Sequence, residues 1–182
     1  MTKIKLYFDC DGVILDTIRR AEELAIERGF NPEDSEDFHN FFLEVDWHKL
    51  IYEAGILNDS LNKIRRIINE RKDYYDVAIL TKYNPENPTE EAAKRYFFSM
   101  FLPDVEVIMV PFHGHKHETV NPVGNILVED SRSNADKWDF SGGVAVRFFL
   151  DEEVNLAHNI INDIDEYEQT EGVKKLLKTR NI

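Results

Sequence analysis

The sequence predicts an α/β protein built on a doubly wound parallel sheet, with a small all-helical segment inserted after the first strand. Three observations point there. Short apolar runs recur at residues 3–9, 76–81, 105–110, 126–128 and 144–150. Segments of helical periodicity separate them, which is the pattern of parallel strands joined by helical crossovers. Several runs end in acidic or hydroxyl residues, and ligands of such sheets bind beyond the carboxyl ends of the strands.

In the first run Ile4, Leu6 and Phe8 alternate with Lys5 and Tyr7, as in a strand. Asp9 and Asp11 follow, two apart. An extended backbone puts both carboxylates on one side and Cys10 on the other. Gly12 then permits a turn that most residues resist. Two neighbouring carboxylates repel, and a bound cation such as Mg²⁺ relieves them. A pair of solvated aspartates in a turn fits the same spacing.

Over residues 16–27 the period becomes helical, with Ile18, Ala21, Leu24 and Ala25 inward and Gly29 as a stop. Phe38, Phe41, Phe42 and Val45 share a helical face, and Trp47, Leu50, Ile51 and Ala54 continue it up to Gly55. Residues 57–72 read as another helix, with Leu61, Ile64, Ile67 and Ile68 inward. Residues 17–71 are thus a helical block, and 1–16 with 72–182 the core. The second run is nearly continuous in apolar residues, as in a strand buried on both faces. Thr89 is placed to cap a helix over 90–99 with Glu90 and Glu91 in its first turn. The third and fourth strands follow, then a short helix over 131–138. Ser141, Gly142 and Gly143 turn into the fifth strand, and 151–164 and 168–178 are predicted as closing helices.

A chain of 182 residues is long enough for one buried core plus an insert. With 42% hydrophobic and 31% charged residues it reads as soluble and globular. No apolar run approaches the ~20 residues that span a bilayer. Met1 to Lys5 lead straight into a strand, so no export signal is expected. A single cysteine excludes an internal disulfide framework and suits a reducing cytoplasm. A net charge of −13 argues against a broad nucleic-acid-binding surface. It leaves room for a small phosphorylated substrate in a locally positive site.

The strand followed by D-x-D-G-V-(apolar)₂-D-T, spanning Phe8 to Thr17, resembles the first motif of the haloacid dehalogenase (HAD) superfamily of phosphotransferases. Leu80-Thr81 resembles its second motif. Glu129-Asp130-Ser131, with Asn134 beyond, resembles its fourth. The third motif asks for a lysine. Lys116 is the only Lys or Arg between the third and fourth strands, and Lys82, directly after Thr81, is the other candidate.

The resemblance implies a Mg²⁺-dependent phosphomonoesterase. Mg²⁺ is held by the side chains of Asp9 and Asp130 and the backbone carbonyl of Asp11. Asp9 attacks phosphorus and Asp11 serves as acid, then base. Thr81 and Lys116 stabilise the transferred group, Lys82 adds a second cation nearby, and Glu129 and Asn134 orient waters around the metal. The helical block occupies the place of a substrate-selecting cap. Of its aromatics Phe38, Phe41, Phe42, Trp47 and Tyr52, most are expected to fill its own core and one or two to face the cleft and stack on a base.

The order Glu129-Asp130-Ser131, Asn134, Trp138, Gly142-Gly143 resembles small 5′-nucleotidase and deoxyribonucleotidase members, which implies (deoxy)nucleoside monophosphate substrates. Sugar-phosphate phosphatases and β-phosphoglucomutase-like enzymes share the Glu-Asp-Ser wording and remain alternatives, as does a non-catalytic binding module. No nucleic-acid polymer or membrane partner is expected, and a homodimer is left open. His113, His115 and His117 could ligate a transition metal from one strand face, or lie in a polar loop. Cys10 is expected to pack.

Overall fold

The computed structural model describes residues 2–150 and 153–182. One parallel sheet holds six strands: β1 (Ile4–Phe8), β2 (Tyr75–Tyr83), β3 (Glu106–Pro111), β4 (Ile126–Glu129), β5 (Val144–Phe148) and β6 (Ile160–Ile161). Their order is β3-β2-β1-β4-β5-β6. The chain winds outward from β1 in one direction through β2 and β3, and in the other through β4 to β6. The carboxyl ends of β1 and β4 therefore flank the switch point, where open α/β sheets form their crevice.

Helices α1 (Thr17–Glu27), α2 (Ser35–Glu44), α3 (Trp47–Glu53) and α4 (Ser60–Glu70) stand between β1 and β2. Then come α5 (Glu90–Phe101), α6 (Lys116–Thr119), α7 (Arg132–Phe140) and α8 (Glu171–Arg180). No helix among the described residues is long and apolar enough to cross a membrane.

Strand alternation splits the core in two. Leu6, Phe8, Ile79 and Val128 pack on one face, and Tyr7, Ala78, Leu80 and Leu127 on the other. Trp138 of α7 covers the second face and meets Tyr7 edge-on at 5.5 Å. The inserted helices add Phe41, Trp47, Leu50 and Ile64 to the first cluster, so their apolar interior is continuous with that of the sheet. Helix α4 and Arg71 at its C-terminal end are also tied to the segment before α8 by ion pairs Lys63–Asp163, Arg66–Asp165 and Arg71–Glu168.

Four expectations need correction. Residues 153–164 form no α-helix, only a 3-10 turn at Leu156–His158 and the start of another at Ile164; residues 151 and 152 lie outside the described part. Asn155 accepts a bond from the His158 amide, Asn159 turns the chain at φ 55°, and Ile160–Ile161 adds β6 to β5. These local bonds compete with helix formation. The closing helix begins at Glu171, because Glu168 is held by Arg71 and Tyr75. The helix expected over 57–72 is broken by left-handed Asn58 and Asp59 before α4 begins. Thr89 makes no side-chain cap; its hydroxyl accepts from the Trp47 amide at 3.1 Å instead.

Candidate active site

The strand register brings the motif residues together. Phe8 stands level with Ile79 of β2 and Val128 of β4. The residues that follow, Asp9 and Glu129-Asp130, therefore leave the sheet side by side. Asp9 is only 7% exposed. Its Oδ1 accepts the Cys10 amide at 2.7 Å, and its Oδ2 lies 2.7 Å from Lys116 Nζ. Lys116, at the start of α6, is fully enclosed and also donates to Glu129 Oε2 at 2.7 Å. The other oxygen of Glu129 accepts from the Ser131 amide at 3.1 Å and from Asn134 Nδ2 at 3.3 Å. Ser131 caps α7, which holds this edge of the site on a helix start.

One oxygen from each of Asp9, Glu129 and Asp130 lies within 4.8 Å of the others. Three carboxylates thus gather around one lysine, which pairs with Asp9 and Glu129. Burial first, then the charge of Glu129, pushes the Asp9 pKa up to about 7, against the pull of Lys116. Burial and then Asp9 push that of Asp130 up to about 6. An all-oxygen donor set with excess negative charge fits a hard divalent cation such as Mg²⁺. Gly12 adds to the fit. Its φ is +73°, and a Cβ there would come within 2.2 Å of Asp130 Oδ2. Only glycine lets the turn after β1 approach the acidic cluster this closely.

Asp11 faces the same cavity but has a separate set of partners. Thr17 donates to its Oδ1 at 2.6 Å, and Lys94 Nζ to its Oδ2 at 2.6 Å. The Thr81 hydroxyl is 3.5 Å from that second oxygen. Lys94 is 1% exposed and also donates to the Lys82 carbonyl at 2.6 Å and to Glu90 Oε1 at 2.7 Å. Burial alone would lower its pKa; Asp11 and Glu90 outweigh that and raise it.

Lys94 and Glu90 escaped the reading of the sequence. A Glu and Lys four apart on a helix ordinarily form an exposed pair. The available signal was Phe98, which continues the 90/94 spacing as a core residue of α5.

The opposite wall is apolar. Ile18, Phe38, Phe42 and Trp47 line a cavity of about 570 Å³ whose floor is Asp9, Asp11, Glu129 and Asp130. Phe42 stacks on Trp47 at 5.9 Å and packs against Phe38 at 4.6 Å. Lys94 Nζ lies 4.7 Å from the Trp47 ring, which links this wall to Asp11. Asn87 Nδ2 donates to the carbonyls of Phe42 at 2.8 Å and Val45 at 2.9 Å, and so seats the α2–α3 turn over the start of α5. Phe41 is fully buried, whereas Tyr52 points to solvent. Ile18, expected in the helix core, is 41% exposed and borders the cavity.

Lys82 also lines the cavity; its Nζ donates to the Phe112 carbonyl at 3.2 Å. The histidine motif is not on a strand face. His113 is exposed in the loop after β3, and His115 and His117 flank Lys116 with their rings 5.3 Å apart. Among the described residues the three do not gather as a metal site. Cys10 is buried in the first core cluster.

No protein-family model and no curated protein matches the sequence. Solved structures match over most of the chain. A subfamily IA HAD-superfamily hydrolase of Geobacter sulfurreducens is 13% identical, with a TM-score of 0.57 over 92% of this chain and 98% of its own. A Bacillus subtilis protein assigned as a HAD hydrolase and solved with magnesium is 12% identical, with a TM-score of 0.54 over 100% of both chains. A HAD-superfamily hydrolase of Ehrlichia chaffeensis is 10% identical, with a TM-score of 0.54 over 97% of this chain and 100% of its own. The architecture is that of the HAD hydrolases.

Proposed function

We propose that this chain, which has the HAD hydrolase fold, is a Mg²⁺-dependent phosphomonoesterase acting through an aspartyl-phosphate on Asp9. We infer further that its substrates are (deoxy)nucleoside monophosphates. One observation carries the first reading: Asp9, at the end of the central strand, meets Lys116 at 2.7 Å with Glu129 and Asp130 beside it. The aromatic wall of Phe38, Phe42 and Trp47 supports the second, since rings of this kind stack on a nucleobase.

Residues 17–71 act as the cap and the remainder as the catalytic core. Asp9, Asp130 and the Asp11 carbonyl would hold Mg²⁺, which would supply the positive charge that lets an anionic ester approach an anionic nucleophile. An Asp9 oxygen attacks phosphorus in line, and the bond from phosphorus to the leaving oxygen breaks. Asp11 gives its proton to that oxygen. In the second half it takes a proton from the water that attacks the phospho-aspartate, and inorganic phosphate leaves. Thr17 and Lys94 fix the place of the Asp11 carboxyl. Lys116 offsets charge on the transferred group and the Thr81 hydroxyl donates a hydrogen bond to it, while Glu129 and Asn134 orient water. A reducing cytoplasm suits the one cysteine, which is buried.

The test is phosphate release from a panel of phosphate esters with and without Mg²⁺, on wild type and Asp9→Asn. Nucleoside monophosphates should turn over with wild type only. Turnover confined to sugar phosphates would remove the nucleotide assignment and keep the phosphatase. Turnover that survives Asp9→Asn would remove the mechanism.

A further inference from the structure

Four lysines reach the cleft or its floor, and they differ in their partners. Lys116 is matched to Asp9 and Glu129, and Lys94 to Asp11 and Glu90. Lys82 and Lys137 both line the cavity, and among the described residues neither forms a salt bridge. The polar contacts of their ammonium groups are with neutral acceptors. Lys82 uses the Phe112 carbonyl at 3.2 Å, and Lys137 lies 3.5 Å from His115 Nδ1.

Both side chains are half-buried, in a chain with 35 acidic residues against 22 basic ones. Carboxylates are abundant, yet none is placed on either ammonium. The two cations also act on one another. Burial, then the charge of Lys116 and, less, that of Lys137, hold the pKa of Lys82 below its ordinary value, against the opposing pull of Glu129 and Asp9. Half-buried like charges that repel are costly unless a counter-charge joins them.

Their placement tells where that counter-charge would sit. Lys82 follows Thr81 at the end of β2. Lys137 lies on α7, one turn beyond Ser133 and Asn134, and all three border the cavity. Phe38, Phe42 and Trp47 thus lie on the wall of inserted helices, and Lys82, Lys137, Ser133 and Asn134 on the side of β2 and α7, where Phe112 also lines the cavity. The ester phosphate has its own place at Asp9 and Lys116. A leaving group that carried only hydroxyls would leave Lys82 and Lys137 without a counter-charge.

We propose that Lys82 and Lys137 form a second anion subsite, and that among the esters the site accepts it prefers those with a further phosphate or carboxylate on the leaving half, so that a nucleoside bisphosphate is a better substrate than the monophosphate. This rests on the reading of Asp9 as the residue that receives the transferred phosphoryl group.

Two matched pairs test it and separate the two sources of charge. Adenosine 5′-monophosphate is compared with adenosine 3′,5′-bisphosphate, and glycerol 3-phosphate with 3-phosphoglycerate. Turnover is measured on wild type, and affinity by calorimetry on Asp9→Asn. In at least one pair the doubly charged member should be favoured about tenfold to a hundredfold in kcat/KM, mostly through KM.

Lys82→Met and Lys137→Met should each cut that preference by about tenfold, and Lys137→Arg should largely retain it. Preference in the first pair assigns a phosphate, and in the second a carboxylate. Equal kcat/KM and equal affinity within both pairs would overturn the subsite, as would a preference unchanged in both Met variants. If wild type hydrolyses no ester, the phosphatase reading falls alone; a calorimetric preference lost in Lys137→Met would still establish the anion subsite.

Discussion

At the carboxyl edge of the sheet, Lys116 bridges Asp9 and Glu129 at 2.7 Å from each. Across the same cavity, Phe38, Phe42 and Trp47 offer rings and few polar atoms. The floor is set by charge and the far wall by packing. Removing one member of a buried ionic cluster leaves its partners unpaired, which costs more than the interaction was worth. Trimming a ring that borders open space leaves little cavity behind. The floor should therefore respond to substitution in chemistry and folding together, and the wall mainly in recognition.

The sharpest test of the floor is Asp9→Asn, which keeps the shape of the side chain. Turnover should fall by about 10⁴-fold or more, as for loss of a nucleophile elsewhere, while the far-ultraviolet dichroism is unchanged. A modest loss would show that the floor binds but does not react. Next, Lys116→Met should cost about 3–5 kcal/mol in urea unfolding, because Asp9 and Glu129 are left buried without a counter-charge. Mg²⁺ should recover part of that loss, since Asp9 is one of its proposed ligands.

Two phenylalanines three residues apart sharpen the contrast within the inserted helices. Phe41 is fully buried, and Phe41→Ala should cost about 3–5 kcal/mol. Phe38 borders the cavity, and Phe38→Ala should raise KM about tenfold, in line with one lost stacking contact, with kcat and unfolding nearly unchanged. If both variants affected only stability, the far wall would be core and not a recognition surface.

A further contrast is in pH. Asp9 and Asp130 have folded-state pKa values raised from 3.8 to about 7 and about 6. Between pH 4 and 7 the folded chain then binds more protons than the unfolded one, so stability falls as pH rises through that window. Without divalent ions Tm should decline from pH 5 to pH 8. Mg²⁺ should raise Tm more at pH 8 than at pH 5, because it binds the ionised carboxylates. A calorimetric Tm profile with and without EDTA measures both.

The sequence by itself determined the sheet and the members of the floor. Apolar runs of strand length mark β1 to β5, and the spacing of Asp9 and Asp11 set both toward one side. Asp130 and Glu129 were legible because they lie at the end of a strand, where the parallel register gathers them beside Asp9, and Lys116 because it is the one Lys or Arg between the third and fourth strands. The tertiary structure decided the rest. Glu90 and Lys94 have the spacing of a surface pair; only the docking of α5 against Asp11 buries them. Phe38, Phe41 and Phe42 share one helical face, and only the packing of α2 sends Phe41 inward while the other two line the cavity. Lys82 and Lys137, 55 positions apart in sequence, border one cavity because β2 ends and α7 begins at the same edge. Local spacing fixes the side of its own element on which a group lies, whereas which other groups it meets depends on how distant elements pack.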